Sequence, residues 1–212
     1  MISNRIKTIA SLIYPYKRIA DIGCDHGYLV IEAFLNYNID YAVAVDNKKG
    51  PLASAKSNLG EYNLSNKVRF SLSSGISDID EDTEVVVISG MGGTLITQIL
   101  SEKEKLKNVK RLILQPNRNS YELRKFLMIN GYKITSEKLV YEEEKYYEII
   151  QAEIGEIIYT DDELLFGPIL LKEKSEIFTM KLKDELKRLN EIESKVEKVV
   201  LRIKKLEEIL CL

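Results

Sequence analysis

Five short runs rich in β-branched residues, interleaved with stretches of helical spacing, leave this chain few folds to choose from. The runs are Arg18–Ile22, Tyr41–Asp46, Val68–Leu72, Glu84–Ser89 and Arg111–Gln115, and helical patterns occupy Tyr28–Tyr37, Pro51–Gly60, Thr94–Lys105 and Tyr121–Asn130. Strands that are nearly all apolar are buried on both faces, and regular strand–helix alternation dictates a parallel sheet covered by helices on both sides. Proline at position 51 suits a first helical turn, and Asn119 or Ser120 suits an N-cap. After the fifth run the pattern changes. The segment YKITSEKLVYEEEKYYEIIQAEI reads as two long strands, Tyr132–Tyr141 and Lys145–Ile154, joined by an acidic turn. The expected class is α/β: an open, Rossmann-like sheet of five parallel strands finished by an antiparallel C-terminal hairpin.

The remainder is of another kind. Ten of the eleven glycines and three of the four prolines precede Gly167, so nothing after Pro168 announces a helix break. Leu182, Leu186, Leu189, Ile192, Val196, Val199, Ile203, Leu206 and Leu210 are spaced as the seam of a coiled coil, with one irregular step around Leu189 to Ile192. One long helix and two antiparallel helices reversing near Asn190 to Lys195 both fit. The expected division is a domain at 1–155 and a helical domain at 156–212, with the boundary inside IGEIIYTDDELLFGP. At the other end, Ile2, Ile6, Ile9, Ala10 and Ile13 recur at helical spacing rather than forming a signal peptide. No apolar run reaches the roughly 20 residues that cross a bilayer, and no membrane association is expected. Two distant cysteines, Cys24 and Cys211, make neither a disulfide framework nor a zinc site. The expected setting is cytoplasmic, without a metal, and the expected state a monomer. A net charge of −2 gives no global pull toward nucleic acid, so a polyanion must be held by local basic patches.

Open parallel sheets bind ligands at the carboxyl ends of their strands, beside the first strand. There the chain reads ADIGCDHGYLV, and Asp46 ends the second strand 19 residues past Gly27. A carboxylate so placed accepts both hydroxyls of a ribose, while glycines ahead of it let backbone approach the ligand. A dinucleotide site needs G-x-G-x-x-G to seat a pyrophosphate. Here Asp21 and Asp25 flank Gly23, and they would repel pyrophosphate but suit a cationic sulfonium and its ammonium. That charge pattern favours S-adenosylmethionine over NAD and identifies a class I methyltransferase, with Asp25 where that class commonly has its middle glycine. The expected cofactor contacts are Asp21, Gly23, Cys24, Asp25, Gly27, Tyr28, Asp46, Asn47, Ser74, Gly75, Ile76, Ser89, Gly90 and Met91.

The fourth strand ends in SGMGG, without the Asn or Asp by which many amino-group methyltransferases hold an exocyclic nitrogen. Adenine N1 carries an in-plane lone pair and no proton, so it needs positioning and a clear line to carbon more than a base. Glycines leave a flat base room against bare backbone. Gly92, Gly93, Arg118 and Tyr147 are the expected substrate contacts. A tight turn is the competing reading of Gly93. Asp25, His26 and Asn117 are the catalytic candidates: His26, the only histidine, to orient the base or accept a proton, and Asn117 to pair with the adenine edge or to cap the next helix. Basic residues that could track phosphates are Arg5, Lys7, Lys17, Lys48, a run from Lys103 to Arg111, Arg118, Arg124, and Lys181, Lys183, Lys187 and Arg188.

Taken in series, RIADIGCDHGYL, KKGPLASAKSNL, VVISGMGGTLITQIL, RLILQPN, KYYEIIQAEIG and FGPILLKEK resemble the successive blocks of the bacterial TrmK family of tRNA (adenine-22-N1)-methyltransferases. The resemblance covers nearly the whole chain. It implies tRNA as partner, methyl transfer from S-adenosylmethionine to N1 of adenine 22, and a C-terminal coiled coil of antiparallel helices. One block departs: the family's G-D-G-L after the third strand is replaced by SLSSGIS, which puts Ser73 and Ser74 where an acidic residue would face the cofactor adenine. Serine still accepts a hydrogen bond but without charge assistance.

Overall fold

The computed structural model of the chain describes residues 2–193 and 196–212. Helix α1 (Asn4–Ser11) leads into β1 (Arg18–Ile22), α2 (Tyr28–Asn36), β2 (Tyr41–Asp46), α3 (Lys49–Glu61), β3 (Val68–Leu72), β4 (Val85–Met91), α4 (Gly93–Leu100), β5 (Arg111–Pro116) and α5 (Ser120–Ile129). The hairpin β6 (Tyr132–Glu142) and β7 (Lys145–Ile154) follows, then α6 (Asp161–Phe166), α7 (Pro168–Glu173), α8 (Glu176–Asn190) and α9 (Glu197–Leu210). All seven strands form one sheet in the order β3-β2-β1-β4-β5-β7-β6. The first five are parallel, and β7 and β6 close the edge antiparallel. Chain order reverses between β1 and β4, which makes the carboxyl ends there the ligand-binding crevice of such a sheet.

The strands are central because of what they contain. Val85, Val86, Val87 and Ile88 are fully buried, as are Leu112, Ile113 and Leu114 beside them, each contributing about 1.5–3 kcal/mol by leaving water. Alternate residues feed two cores, one toward α1, α2 and α3 and one toward α4 and α5. Helix α1 is fixed at both ends. The backbone N–H groups of Asn4 and Arg5 donate to the Glu142 carboxylate at the hairpin tip (2.8 and 3.4 Å). Arg111 Nη1 donates to the carbonyls of Leu12 and Tyr14 just past the helix (2.7 and 2.8 Å).

The helical extension is broken more often than its composition suggested. Gly167 ends α6, and Lys174 ends α7 in the left-handed region at φ 43°, after which the Ser175 hydroxyl caps α8 by accepting from the Phe178 N–H at 3.3 Å. Helices α8 and α9 are separate and run antiparallel: Lys174 Nζ, just before α8, reaches the Ile209 carbonyl near the end of α9, and Arg202 pairs with Glu185 in mid-helix. Of the expected reversal at 190–195, Ser194 and Lys195 lie outside the described residues. The seam is buried only in part. Leu182 and Leu206 are enclosed, whereas Ile192 and Val196 are exposed. Instead of a self-contained coil, Phe166, Leu170, Phe178, Leu182 and Leu206 share a core with Leu139 of the hairpin.

Beside this core lies a knot of buried charge. Arg124 of α5 is fully enclosed, its Nε 2.8 Å from Glu137 of β6 and its Nη2 2.6 Å from Glu148 of β7, while Lys181 of α8 also pairs with Glu148. The second Glu137 oxygen accepts the N–H groups of Ile169 and Leu170 in α7 (2.9 and 3.3 Å). Burial by itself would raise the Glu148 pKa, but Arg124 and Lys181 outweigh it and hold the carboxyl down at about 2. At Glu137 burial prevails and the shift is upward.

Candidate active site

A cavity of about 670 Å³ opens at the carboxyl ends of β1, β2 and β4, within the range of pockets that enclose a cofactor. Its floor is the β1–α2 loop. The N–H groups of Gly23 and Cys24 both donate to the Val45 carbonyl (2.8 and 3.0 Å), which binds the loop to β2. Asp21 lies at the base, 2% exposed. Burial, then the neighbouring Asp46 and Asp25, push its pKa up to about 7. Asp46 at the end of β2 is held by two backbone donors, Lys48 N–H at 2.9 Å and Asp25 N–H at 3.4 Å. A carboxylate has about four lone-pair sites, so two stay open to a ligand. No lysine or arginine among the described residues is ion-paired with Asp21, Asp25 or Asp46. Among those residues there is also no group of three His, Cys, Asp or Glu arranged to hold a metal.

Of the expected cofactor contacts, Asp21, Gly23, Cys24, Asp25, Tyr28, Asp46, Asn47, Ser74, Gly75, Ser89, Gly90 and Met91 line this cavity together. Gly27 and Ile76 do not. Gly27 faces α3, where a Cβ would come within 3.2 Å of Ala55 and Leu59, and Ile76 is fully buried in the core. Burial first, and then Asp21, push the Cys24 thiol far above its ordinary range, which leaves it inert. Ser73 and Ser74 face the cavity, and no carboxylate of their loop substitutes for the missing acid: Asp78, the nearest candidate, is engaged by Ser71 and Arg69.

Asp25 and His26 stand at the mouth, with side chains 68% and 51% exposed. Asp25 holds the left-handed conformation (φ 46°), and its carboxylate is 3.7 Å from His26 Nε2, beyond hydrogen-bond reach. The His26 ring lies 5.7 Å from that of Tyr28.

Strand β4 ends as bare backbone. Gly90 is left-handed at φ 76°, and a Cβ there would meet nothing within 4 Å. A side chain would therefore project into open space, so the glycine keeps this ledge clear. Both peptide groups of Gly90 are clamped: its N–H donates to Gln115 Oε1 (3.1 Å), and its carbonyl accepts from Asn117 Nδ2 (2.7 Å). Gln115 Nε2 donates to Asn117 Oδ1 (3.0 Å), closing the ring, and Arg5 Nη1 joins at Gln115 Oε1 (3.3 Å). Asn117 thus braces the ledge, and it is Asn119 that stands at the N-cap of α5, with no side-chain cap bond. Gln115 and Arg5 went unread as parts of this brace. A glutamine that is fully buried must have its amide satisfied, but burial at a strand end is visible only in three dimensions.

The expected substrate contacts separate. Gly93 is buried, and a Cβ would fall 2.3 Å from the Asn119 carbonyl oxygen, so close packing of two loops requires this glycine. Gly92 sits under Arg118, which is exposed and does not line the cavity. Tyr147 lies under the Arg5 guanidinium (4.8 Å) and faces a second cavity. The expected basic rim divides as well. Arg124 belongs to the buried knot, while Lys17, Lys110 and Arg111 mark the amino-terminal ends of the strands, where Glu84 and Glu153 engage the latter two. Sequence adjacency does not say at which end of a sheet a charge emerges.

Residues 19–210 match the family model described as "TrmK: tRNA (adenine(22)-N(1))-methyltransferase". The chain is 35% identical over 199 residues to the tRNA (adenine(22)-N(1))-methyltransferase of Bacillus subtilis, covering 90% of this chain and 84% of that protein. It is similar in structure to Streptococcus pneumoniae Sp1610 in complex with S-adenosyl-L-methionine, with 36% identity, a TM-score of 0.94 and coverage of 99% and 100% of the two chains. It also resembles Mycoplasma capricolum TrmK in complex with S-adenosylhomocysteine, with 27% identity, a TM-score of 0.82 and 99% and 96% coverage. No helix among the described residues is long and apolar enough to cross a membrane. With its acid-lined crevice, its bare strand end and a match along nearly its whole length, the chain belongs to the TrmK family, the S-adenosylmethionine-dependent enzymes that methylate N1 of adenine 22 in tRNA.

Proposed function

We propose that Asp46 receives the ribose of S-adenosylmethionine, that Asp21 and Asp25 face its cationic end, and that Gly90 and Met91 form the surface along which the target adenine is laid. The observation that carries this reading is the gathering of three carboxylates, none matched by lysine or arginine among the described residues, around one cavity whose far wall is a clamped glycine. These residues fit the group: burial first, and then Asp46 and Asp25, raise Asp21, and a neighbouring cation acts against that shift. When bound, S-adenosylmethionine supplies an electrophilic methyl on a positively charged sulfur. The chain supplies position. Gln115 and Asn117 fix Gly90, Asn117 presents an edge where the two cavities meet, and His26 and Tyr28 border the entrance. No group has to remove a proton from N1, so catalysis rests on in-line proximity and exclusion of water.

The tRNA is held outside this crevice. In this reading residues 1–155 carry the chemistry and 156–212 grip the RNA body, with α8 and α9 paired as a short antiparallel coiled coil and Lys183, Lys187 and Arg188 turned to the phosphates. The proposed state is a monomer. The test is methyl transfer into unmodified tRNA transcripts, read by nucleoside analysis. Gln115→Leu should lower kcat by about 10² through a misplaced ledge, with the cofactor dissociation constant within twofold of wild type. An unchanged kcat would remove the brace from the mechanism.

A further inference from the structure

The second cavity, about 820 Å³, abuts the first and shares Arg5 and Asn117 with it. A polynucleotide whose target base reaches the Gly90 ledge can therefore lay its neighbouring nucleotide in this space. One wall is the β6–β7 hairpin. Tyr141 and Tyr146 face each other across the two strands, ring centroids 4.7 Å apart, and Tyr141 is 43% exposed. Two residues at the tip, Glu143 and Glu144, are both left-handed (φ 50° and 59°), the tight turn that matches strand twist and holds such a pair in register. Tyr146 is anchored from the opposite wall: its hydroxyl donates to Asp184 of α8 at 2.5 Å. That bond leaves Tyr141 as the open ring of the pair.

The charges lining the cavity are Arg5, Lys145, Lys181, Lys187 and Arg188 against Glu144, Asp184, Glu185 and Glu191. Glu185 is paired with Arg202 and Lys181 with Glu148, while Asp184 accepts from the Tyr146 hydroxyl and keeps its charge. Lys187 and Arg188 of α8 and Lys145 of the hairpin line the same cavity. An aromatic face with cations on the same cavity has the chemistry of a single nucleotide: a base to stack and a phosphate to pair.

We propose that this cleft is a nucleotide subsite, in which the base adjacent to the extruded target adenine stacks on Tyr141 while its phosphate meets Lys187 and Arg188. The subsite rests on the assignment of the Gly90 ledge to the target adenine, and it explains how the neighbouring base is kept from following the target into the crevice. Stacking is sequence-tolerant, so the platform grips the backbone trajectory rather than reading a base.

The experiment uses the full-length enzyme with an unmodified tRNA transcript. Tyr141→Ala should raise KM for tRNA about tenfold, as expected for one lost stacked base, with the cofactor dissociation constant unchanged. Tyr141→Phe and Tyr141→Trp should stay near wild type. A transcript carrying 2-aminopurine beside the target adenine should show quenched fluorescence with wild type and recovery with Tyr141→Ala. A KM within twofold of wild type for Tyr141→Ala, or an equal loss for Tyr141→Phe, overturns the subsite. So does unaltered tRNA kinetics combined with loss of binding to a protein partner, which would make the platform a protein-docking surface. Failure of the ledge assignment is distinguishable, because it would appear in Gln115→Leu and leave Tyr141 untouched.

Discussion

Glu137 and Glu148 on the two hairpin strands, and Asp21 and Asp46 at the ends of β1 and β2, are carboxylates withdrawn from water into the same sheet under opposite terms. The hairpin pair is met by Arg124, Lys181 and two backbone N–H groups, and Glu148 is held near a pKa of 2. The strand-end pair has only backbone donors at Asp46 and a neighbouring acid at Asp21, whose pKa rises to about 7. A cluster whose charges cancel internally is complete as it stands and holds parts of the fold together. One left with excess negative charge is stable only at a cost, and a cationic ligand removes that cost.

The largest effect should come from breaking the complete cluster. Arg124→Met takes away the cation paired with Glu137 and leaves Glu148 with Lys181, and should destabilise the protein by about 3–5 kcal/mol in denaturant unfolding. A loss below about 1 kcal/mol would show that the apolar core around Phe178 and Leu206, rather than the ion pairs, attaches the helical extension. In the incomplete cluster the same kind of change should cost ligand and spare the fold. Asp46→Ala should raise the dissociation constant of S-adenosylmethionine by about tenfold or more in calorimetry, the worth of charged hydrogen bonds to a ribose, with an unchanged melting temperature. Full affinity would remove Asp46 from the ribose.

The smallest effect is the most diagnostic. Asp21 must be ionised to face a cation, so a proton has to leave it on binding wherever the pH lies below about 7. Affinity should therefore be greatest above pH 7 and weaken as the pH falls, by at most about tenfold per pH unit. The sign for the ligand-free fold is the reverse. Because folding raises this pKa from 3.8, the contribution of Asp21 to stability falls between about pH 4 and pH 7 and is level above. Asp21→Asn should flatten the binding profile and remove the Asp21 part of the stability slope, while Glu148, already ionised throughout this range, should give neither.

The parallel strands were legible because burial on both faces writes itself as unbroken β-branched runs, and Arg18–Ile22, Tyr41–Asp46 and Val68–Leu72 fall where read. The hairpin was legible through its alternation and acidic turn. The break at Lys174 was not, since a lysine in the left-handed region carries no composition signal and the Ser175 cap is one residue among many. Asp21, Asp25 and Asp46 follow from strand ends and spacing, which one dimension records. The clamp on Gly90 needs β4 and β5 side by side, and the role of Arg124 needs α5 under the hairpin. Contacts of that kind exist only after the sheet has assembled. Truncating residues 172–212 to isolate the catalytic part would likewise strip Phe178, Leu182 and Leu206 from a shared core, so charge reversal at Lys187 and Arg188 is the cleaner probe of RNA grip.

The contact between Gly93 and the Asn119 carbonyl gives the loop after β4 and the loop after β5 a common fate. With no room for a methyl group between them, and with Gly93 N–H donating to the Arg118 carbonyl at 2.8 Å, the two act as a splint in which neither can shift alone. A left-handed Asn119 at φ 62° is thereby tied to the carboxyl ends of β4 and β5. Tolerance to substitution here should follow that mechanical linkage rather than distance from the chemistry.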